Sequence, residues 1–413
     1  MKLSEELQWR GLVHQTTFSD ISMLDQPRTF YLGADPSSDS MTIGNLAAVM
    51  LVKRLASHGY TPILLVGGAT GMIGDPKDDT ERDLKTLDEI DKNKQAIARQ
   101  YTQILGDIPF EVVDNYEWFK DIGYLNFLRD IGKHFPMREL LDREFLKSRL
   151  GEGSDGISYA EFSYSLIQGY DFLQLHRDKG VTMQIGGSDQ WGNMLSGVPL
   201  IRKMEKVEAH VLTIPLVVNK TTGKKFGKSE DGAVWLDERK TSVFKFYQFW
   251  INCDDEGVED YLKIYTKLSK AEIQDIIEAH NEARSNRLAQ KHLAYEVTKI
   301  VHGKDRAKAV RNISEVLYGG ADYTELSGAD FMELESELTA VSLSTGADVS
   351  EFLVESELAS SKGEARRFLA SNAIYINGTQ LSLDKKTFDT SDFIEGYSVV
   401  RRGKNATAIA KLV

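Results

Sequence analysis

Apolar and polar residues follow two different periods along this chain, and the change of period divides it. Up to about residue 220, short apolar runs alternate with amphipathic stretches. RTFYLGAD (28–35), TPILLV (61–66), PFEVVDN (109–115), VTMQIGG (181–187) and AHVLTIPLVV (209–218) read as strands. IGNLAAVMLVKRLASHG (43–59), stopping at Gly59, and LDEIDKNKQAIARQYTQIL (87–105) carry apolar residues at helical spacing, and so does the segment after Trp191. Strands alternating with helices predict a parallel sheet covered by helices on both faces, an α/β domain over 1–220. In such folds ligands bind beyond the carboxyl ends of the strands. The informative loops are therefore those after Tyr31, Val66 and Ile185.

From about Val234 to Leu317 the strand pattern vanishes, and VFKFYQFWINC, VEDYLKIYTKL and the stretches that follow have helical periodicity. This predicts an all-helical domain over 233–318. Residues 319–348 are acidic and dotted with glycine, which reads as a linker carrying a short helix. The last part, 349–413, gives two short helices and then a strand with an Asn377-Gly378 turn, a small α+β domain.

The 413 residues allow two or three domains. No window approaches the roughly 20 apolar residues of a membrane span, and the charged N-terminus lacks a signal-peptide core, so a cytoplasmic protein without membrane contact is expected. A single cysteine, Cys253, excludes an internal disulfide and fits a reducing compartment. The net charge of −12 argues against a general nucleic-acid coat, though not against a local basic patch.

Five stretches can carry chemistry. Glycine-rich loops follow three of the strands: YLGADPSSDSMTIGN, VGGATGMIGDP and IGGSDQWGN. One such loop is an ordinary turn; three at successive strand ends point to a ligand cleft. TTGKKFGKSEDG (221–232) is a positive loop, either a solvated lysine surface or a phosphate contact. It is no Walker loop, because only three residues separate Gly223 from Gly227 where that motif has four. In EFSYSLIQGYDFLQL (161–175), Tyr164, Gln168 and Asp171 fall on one helical face amid apolar neighbours. Such groups need partners, either within a core network or on a small polar ligand. His176, His210 and the other histidines show no metal-ligand spacing, and no G-x-S-x-G elbow occurs.

Together these stretches resemble the class I aminoacyl-tRNA synthetases, and among them the bacterial tyrosyl enzymes. YLGADPSSDSMTIGNL is similar to the loop carrying the family's HIGH motif, and KFGKS (225–229) to its KMSKS motif. GGATGMIGDP, EFSYSLIQGYDFL and GGSDQWGN resemble further family segments in the family's order, and SSKGEARRFLASNAIYINGTQL resembles an S4-type RNA-binding domain. The resemblance covers essentially the whole chain. It implies a Rossmann-like catalytic domain, a KMSKS-type loop at 221–232, an anticodon-proximal helical domain and an S4-like tail. It also implies activation of L-tyrosine by ATP to tyrosyl-adenylate and pyrophosphate, then transfer to the 3′ end of tRNA(Tyr). ATP would bring Mg2+ with it; no prosthetic group or protein-held metal is implied, and the family works as a homodimer.

The resemblance also implies site roles. Tyr31 and Asp171 would hold the substrate phenol, and Asp75, Tyr164 and Gln168 its ammonium group. Gln190 would contact tyrosine and Asp189 the ribose. Gly33, Asp35 and Gly44 would line the nucleotide. Lys225, Lys228 and Ser229 would close over the pyrophosphate, with Lys228 also an ATP ligand. Lys362, Arg366 and Arg367 form the tail's basic cluster and would meet RNA. Two departures stand out. Thr42 and Asn45 replace the two histidines of HIGH; both are neutral hydrogen-bond donors, and Ser37 and the amides of the helix start can add to the same phosphate site. GDPKDDTERD is one residue shorter before Arg82 than the family pattern, with Lys77 the candidate for the family's mobile lysine. The competing readings are a tryptophanyl relative, which would lack an S4-type tail, and a non-catalytic RNA-binding relative.

Overall fold

The computed structural model describes residues 1–74, 85–137, 157–229, 232–382, 384–403 and 406–413. They form two compact units, Met1–Asp237 with Cys253–Ala289, and Glu238–Asn252 with Gln290–Val413. The helices of 233–318 are thus shared between the two units.

The first unit opens with helix α1 (Leu3–Trp9) and strand β1 (Gln15–Thr16). There follow β2 (Thr29–Ala34), α2 (Ile43–Ser57), β3 (Thr61–Val66), α3 (Gly68–Ile73), α4 (Leu87–Leu105) and β4 (Glu111–Val113). Then come α5 (Tyr116–Phe119), α6 (Tyr124–Asp130), α7 (Tyr159–Lys179), β5 (Met183–Gly187), α8 (Trp191–Met194), α9 (Gly197–Glu205) and β6 (His210–Ile214). The sheet order is β1-β6-β5-β2-β3-β4, parallel except for β1. From β2 the chain runs outward one way through β3 to β4. From β5 it runs the other way to β6. The strand order therefore reverses between β2 and β5, where such folds open a crevice. There Tyr31 stands in register with Gln184 of β5 and Ile63 of β3.

Local chemistry sets the boundaries. Helix α7 starts with a Ser158–Glu161 capping box and stops at Gly180, whose left-handed backbone returns its N–H to His176 at 2.9 Å. The glycines after β3 permit close approach. A Cβ on Gly68 would lie 2.4 Å from the Asp114 carboxylate, and one on Gly71 would lie 2.9 Å from Pro36. The second glycine loop therefore packs directly against the loops after β2 and β4.

A buried charge cluster ties α1 and α2 to the end of helix Val258–Tyr265. Glu6 pairs with Arg10 at 2.7 Å and lies 3.8 Å from Arg54. Arg10 donates to the carbonyls of Lys263 and Leu268, and Arg54 to those of Lys263 and Thr266. Burial, and then the neighbouring Arg10, pull the Arg54 pKa down to about 9, against the pull of Glu6.

In the second unit, helices Val243–Ile251, Lys304–Ser314 and Gly328–Glu335 accompany a five-stranded sheet. Its order is Thr379–Gln380, Ile374–Ile376, Tyr397–Arg402, Ala406–Leu412, Ala340–Leu343, and only the last pair is parallel. Asn377 and Gly378 both have positive φ, the geometry of a tight hairpin turn. The stretch 319–348 holds more order than its composition signals. Besides a helix it contributes edge strand Ala340–Leu343, whose Val341 and Leu343 are buried. Four alternating residues are too few to stand out from an acidic background. Among the described residues, no helix is long and apolar enough to cross a membrane.

Candidate active site

A cleft of about 320 Å³ opens at the carboxyl ends of β2 and β5. It gathers Tyr31, Gly33, Asp35, Ser37, Thr42, Gly44, Asn45, Tyr164, Gln168, Asp171, Asp189, Gln190 and Lys225. Thirteen residues named from four separate stretches of sequence thus line one cavity. Asp75, Lys77 and Arg82 lie outside the described residues. Lys228 and Ser229 form a short strand against Gly232–Ala233, and their side chains are likewise outside the description.

The deep end is polar within an apolar wall. Tyr31 is buried, its hydroxyl has no hydrogen-bond partner among the described residues, and burial raises its ionisation well above the ordinary phenol range, so it stays neutral. Asp171 projects from α7 towards the same end. It is fully buried, and desolvation pushes its carboxyl up to about 8. Two hydrogen bonds oppose that rise: Asn115 donates to Oδ2 at 3.1 Å and Trp118 Nε1 to Oδ1 at 2.9 Å. Asn115 in turn accepts the Ala69 N–H at 2.8 Å, and its neighbour Asp114 accepts that of Gly68 at 2.8 Å. The loop after β4 thereby holds both the start of α3 and the carboxylate of α7.

At the middle of the cleft, the Tyr164 hydroxyl donates to Asp35 Oδ2 at 2.8 Å. At the mouth, Thr42 caps α2. Its backbone N–H and its hydroxyl both donate to Asn45 Oδ1, each at 2.9 Å. The Thr42 hydroxyl proton is therefore engaged within the protein, and the Asn45 amide NH2 is the donor left over. The Ile43 N–H is engaged as well, bonded to the Val234 carbonyl at 3.1 Å. At Gly44 an added Cβ would meet only Thr42 Oγ1, at an ordinary 3.5 Å, so the fold itself does not demand glycine there. At Gly187 a Cβ would lie 2.5 Å from Asp189 Oδ1, the tip of a movable side chain, so the absence of a side chain there lets Asp189 fold back over the strand end. Lys225 Nζ stands 3.9 Å from Asp189 Oδ2, both partly exposed, a loose pair that solvent screens.

Matches to known proteins run along the chain in two blocks. The model described as tRNA synthetases class I (W and Y) matches residues 23–319, and that of the tyrosine–tRNA ligase SYY-like C-terminal domain matches 330–409. The tyrosine–tRNA ligase of Citrobacter koseri is 43% identical, over 97% of this chain and 96% of its own. That of Lactococcus lactis subsp. cremoris is 42% identical over 98% of each. The chain belongs to the class I tRNA synthetases, in their tyrosine–tRNA ligase branch. A C-terminally truncated mitochondrial tyrosyl-tRNA synthetase of Aspergillus nidulans superposes with a TM-score of 0.69 at 30% identity, covering 77% of this chain and 94% of that one. A tryptophanyl-tRNA synthetase from Encephalitozoon cuniculi, at 13% identity and TM-score 0.54, shares the fold.

Within this synthetase cleft, sequence reasoning missed Asn115, Trp118 and Thr70, the last lining the cavity and receiving Asn115 Nδ2 at 3.3 Å. The signal available was position: Asp114-Asn115 closes a fourth parallel strand, at the same end of the sheet as the three glycine loops. In the C-terminal domain, Lys362, Arg366 and Arg367 lie on the exposed helix Lys362–Ala370, with Lys362 paired to Glu351 at 2.7 Å. The fold adds Arg402, whose guanidinium sits 4.9 Å from the Phe368 ring, and Arg401, over Tyr375 at 5.0 Å. Among the described residues no acid, histidine and cysteine cluster could hold a metal ion.

Proposed function

We propose that this cleft carries both steps of tyrosine–tRNA ligation, with Tyr31 and Asp171 as the side-chain reader. The tyrosine carboxylate oxygen attacks the α-phosphorus of ATP, and the bond to the bridging oxygen breaks as pyrophosphate leaves with the electron pair. A hydroxyl of the terminal adenosine of tRNA(Tyr) then attacks the tyrosyl carbonyl, releasing AMP. No covalent enzyme intermediate is needed, so positioning and charge stabilisation carry the rate. The supporting observation is the buried Tyr31 hydroxyl and Asp171 carboxyl at the deep end of the cleft. A phenol satisfies both groups, whereas phenylalanine leaves them buried without it.

Asp75, Tyr164 and Gln168 are assigned to the ammonium group, and Gln190 to the tyrosine. Gly33, Asp35, Gly44 and Asp189 are assigned to the nucleotide. Ser37, Asn45, Lys225, Lys228 and Ser229 are assigned to the phosphates, which arrive as the Mg2+ complex of ATP, with Thr42 orienting Asn45. The C-terminal domain is assigned an S4-like role, with Arg401 and Arg402 joining Lys362, Arg366 and Arg367 on the RNA. A homodimer in the cytoplasm completes the reading. Tyr124, Leu125 and Tyr159 support it, being 61%, 77% and 58% exposed.

Amino-acid-dependent exchange of pyrophosphate into ATP tests the reading. Exchange is expected with tyrosine. Exchange with tryptophan alone would overturn the specificity, and none with any amino acid would overturn the enzyme.

A further inference from the structure

The lysine loop is fastened through Phe226, which lines the cleft but is assigned no substrate contact. Phe226 lies between Lys225 and Lys228 and is 6% exposed. Its ring stacks on Tyr261 of helix Val258–Tyr265, centroids 4.2 Å apart and planes 26° from parallel. The Tyr261 hydroxyl is fixed in turn, 2.8 Å from the Asp254 carboxylate and 3.1 Å from the Val218 carbonyl. Gly257 makes room for it, since a Cβ there would lie 2.4 Å from that hydroxyl. On the chain's other side the backbone is laced to α2. The Val234 N–H donates to the Gly227 carbonyl at 2.9 Å, and the Ile43 N–H donates to the Val234 carbonyl. Gly227 has φ +90°, and a Cβ on it would come 3.3 Å from Ile43. The peptide after Phe226 thus rests on the first turn of α2, beside Thr42 and Asn45.

We propose that the Phe226–Tyr261 stack is a positioning element for activation: it sets the register of Lys225 and Lys228 opposite Thr42 and Asn45. Two lysines close in sequence repel one another, and the carboxylate beside Lys225 stands 3.9 Å away across partly exposed space. Flexible ammonium groups act on a developing charge only if their backbone is fixed, and here a ring stack and a glycine contact fix it. The stack does not touch the phenol end of the cleft. Its loss therefore lowers the rate of activation and leaves tyrosine binding intact. This rests on the assignment of Lys225 and Lys228 to the pyrophosphate.

Tyrosine-dependent pyrophosphate exchange and equilibrium dialysis of tyrosine, on the full chain, test it with Phe226→Leu, Tyr261→Leu, Tyr261→Phe and Lys228→Ala. Phe226→Leu and Tyr261→Leu are expected to lower the exchange kcat about tenfold or more, with tyrosine Kd within about twofold of wild type. Tyr261→Phe keeps the ring and is expected to retain most of the rate. Full kcat in Phe226→Leu while Lys228→Ala is impaired would overturn the stack's role. So would equal damage in Tyr261→Phe and Tyr261→Leu, which would place the effect in the hydroxyl. Full activity in Lys228→Ala would instead overturn the lysine assignment. Should Tyr261→Leu not fold, as judged by its tyrosine Kd, Phe226→Leu alone decides.

Discussion

The indole N–H of Trp118 donates to Asp171 at 2.9 Å, so a side chain from the loop region after β4 orients the carboxylate of α7. Trp118→Phe removes the donor and keeps most of the ring. With the carboxyl largely protonated, such a hydrogen bond contributes about 0.5–1.5 kcal/mol, so the tyrosine KM is expected to rise about two- to tenfold. Steady-state exchange kinetics check this; an unchanged KM would make Trp118 mere packing.

Asp171 also makes a pH prediction. Burial raises its carboxyl to about 8, above the unfolded value near 4. The folded state then binds a proton that the unfolded state releases. Its contribution to stability is full below about pH 4, declines as pH rises, and levels off above about pH 8. Asp171→Asn does not titrate and is expected to melt progressively higher than wild type across that window. Asp171→Ala should raise the tyrosine KM sharply and erode rejection of phenylalanine. Parallel melting profiles for wild type and Asp171→Asn would show that the carboxyl is not raised.

Thr42 engages Asn45 twice, so the two should act as a unit. Thr42→Ala removes the hydroxyl bonded to Asn45 and leaves that amide held only by the backbone N–H of residue 42. Each alanine variant should lower the exchange kcat with little change in tyrosine KM, and the double variant should fall short of their product. Strict multiplicativity would mean that they act on the phosphates separately.

Glu6 is the carboxylate between Arg10 and Arg54, both buried. Glu6→Gln leaves two buried guanidiniums without a counter-charge, which typically costs about 3–5 kcal/mol. Urea denaturation should show a midpoint lowered accordingly. A loss under about 1 kcal/mol would mean that the carbonyls of 263–268 suffice.

Cys253 is buried, and burial first, then Asp254, pushes its thiol up to about 12. In native protein at pH 8 it is expected to resist a disulfide reagent for many minutes, and to react fully as one thiol in denaturant. Rapid native reaction would contradict the burial.

The alternation of periods determined the α/β class, because burial on one or both faces of an element is written into its own residues. Strand order needed more, and yet the three glycine loops already marked the strand ends that meet. Asp171 was legible for a similar reason, since polar groups amid apolar neighbours on one face demand a partner, whereas a role for Tyr31 came only from the resemblance. The edge strand Ala340–Leu343 was not legible, since its pairing with Ala406–Leu412 joins segments far apart in the chain. The same holds in the cleft. That Asn115 and Trp118 reach Asp171, that Thr42 turns its hydroxyl to Asn45, and that Phe226 lies on Tyr261 follow from where separate elements come to rest. Local patterns fix which face of an element is buried. Only the packed tertiary structure decides which donor meets which acceptor there, because a hydrogen bond or a ring stack depends on distances of a few ångströms between parts of the chain that carry no mark of each other.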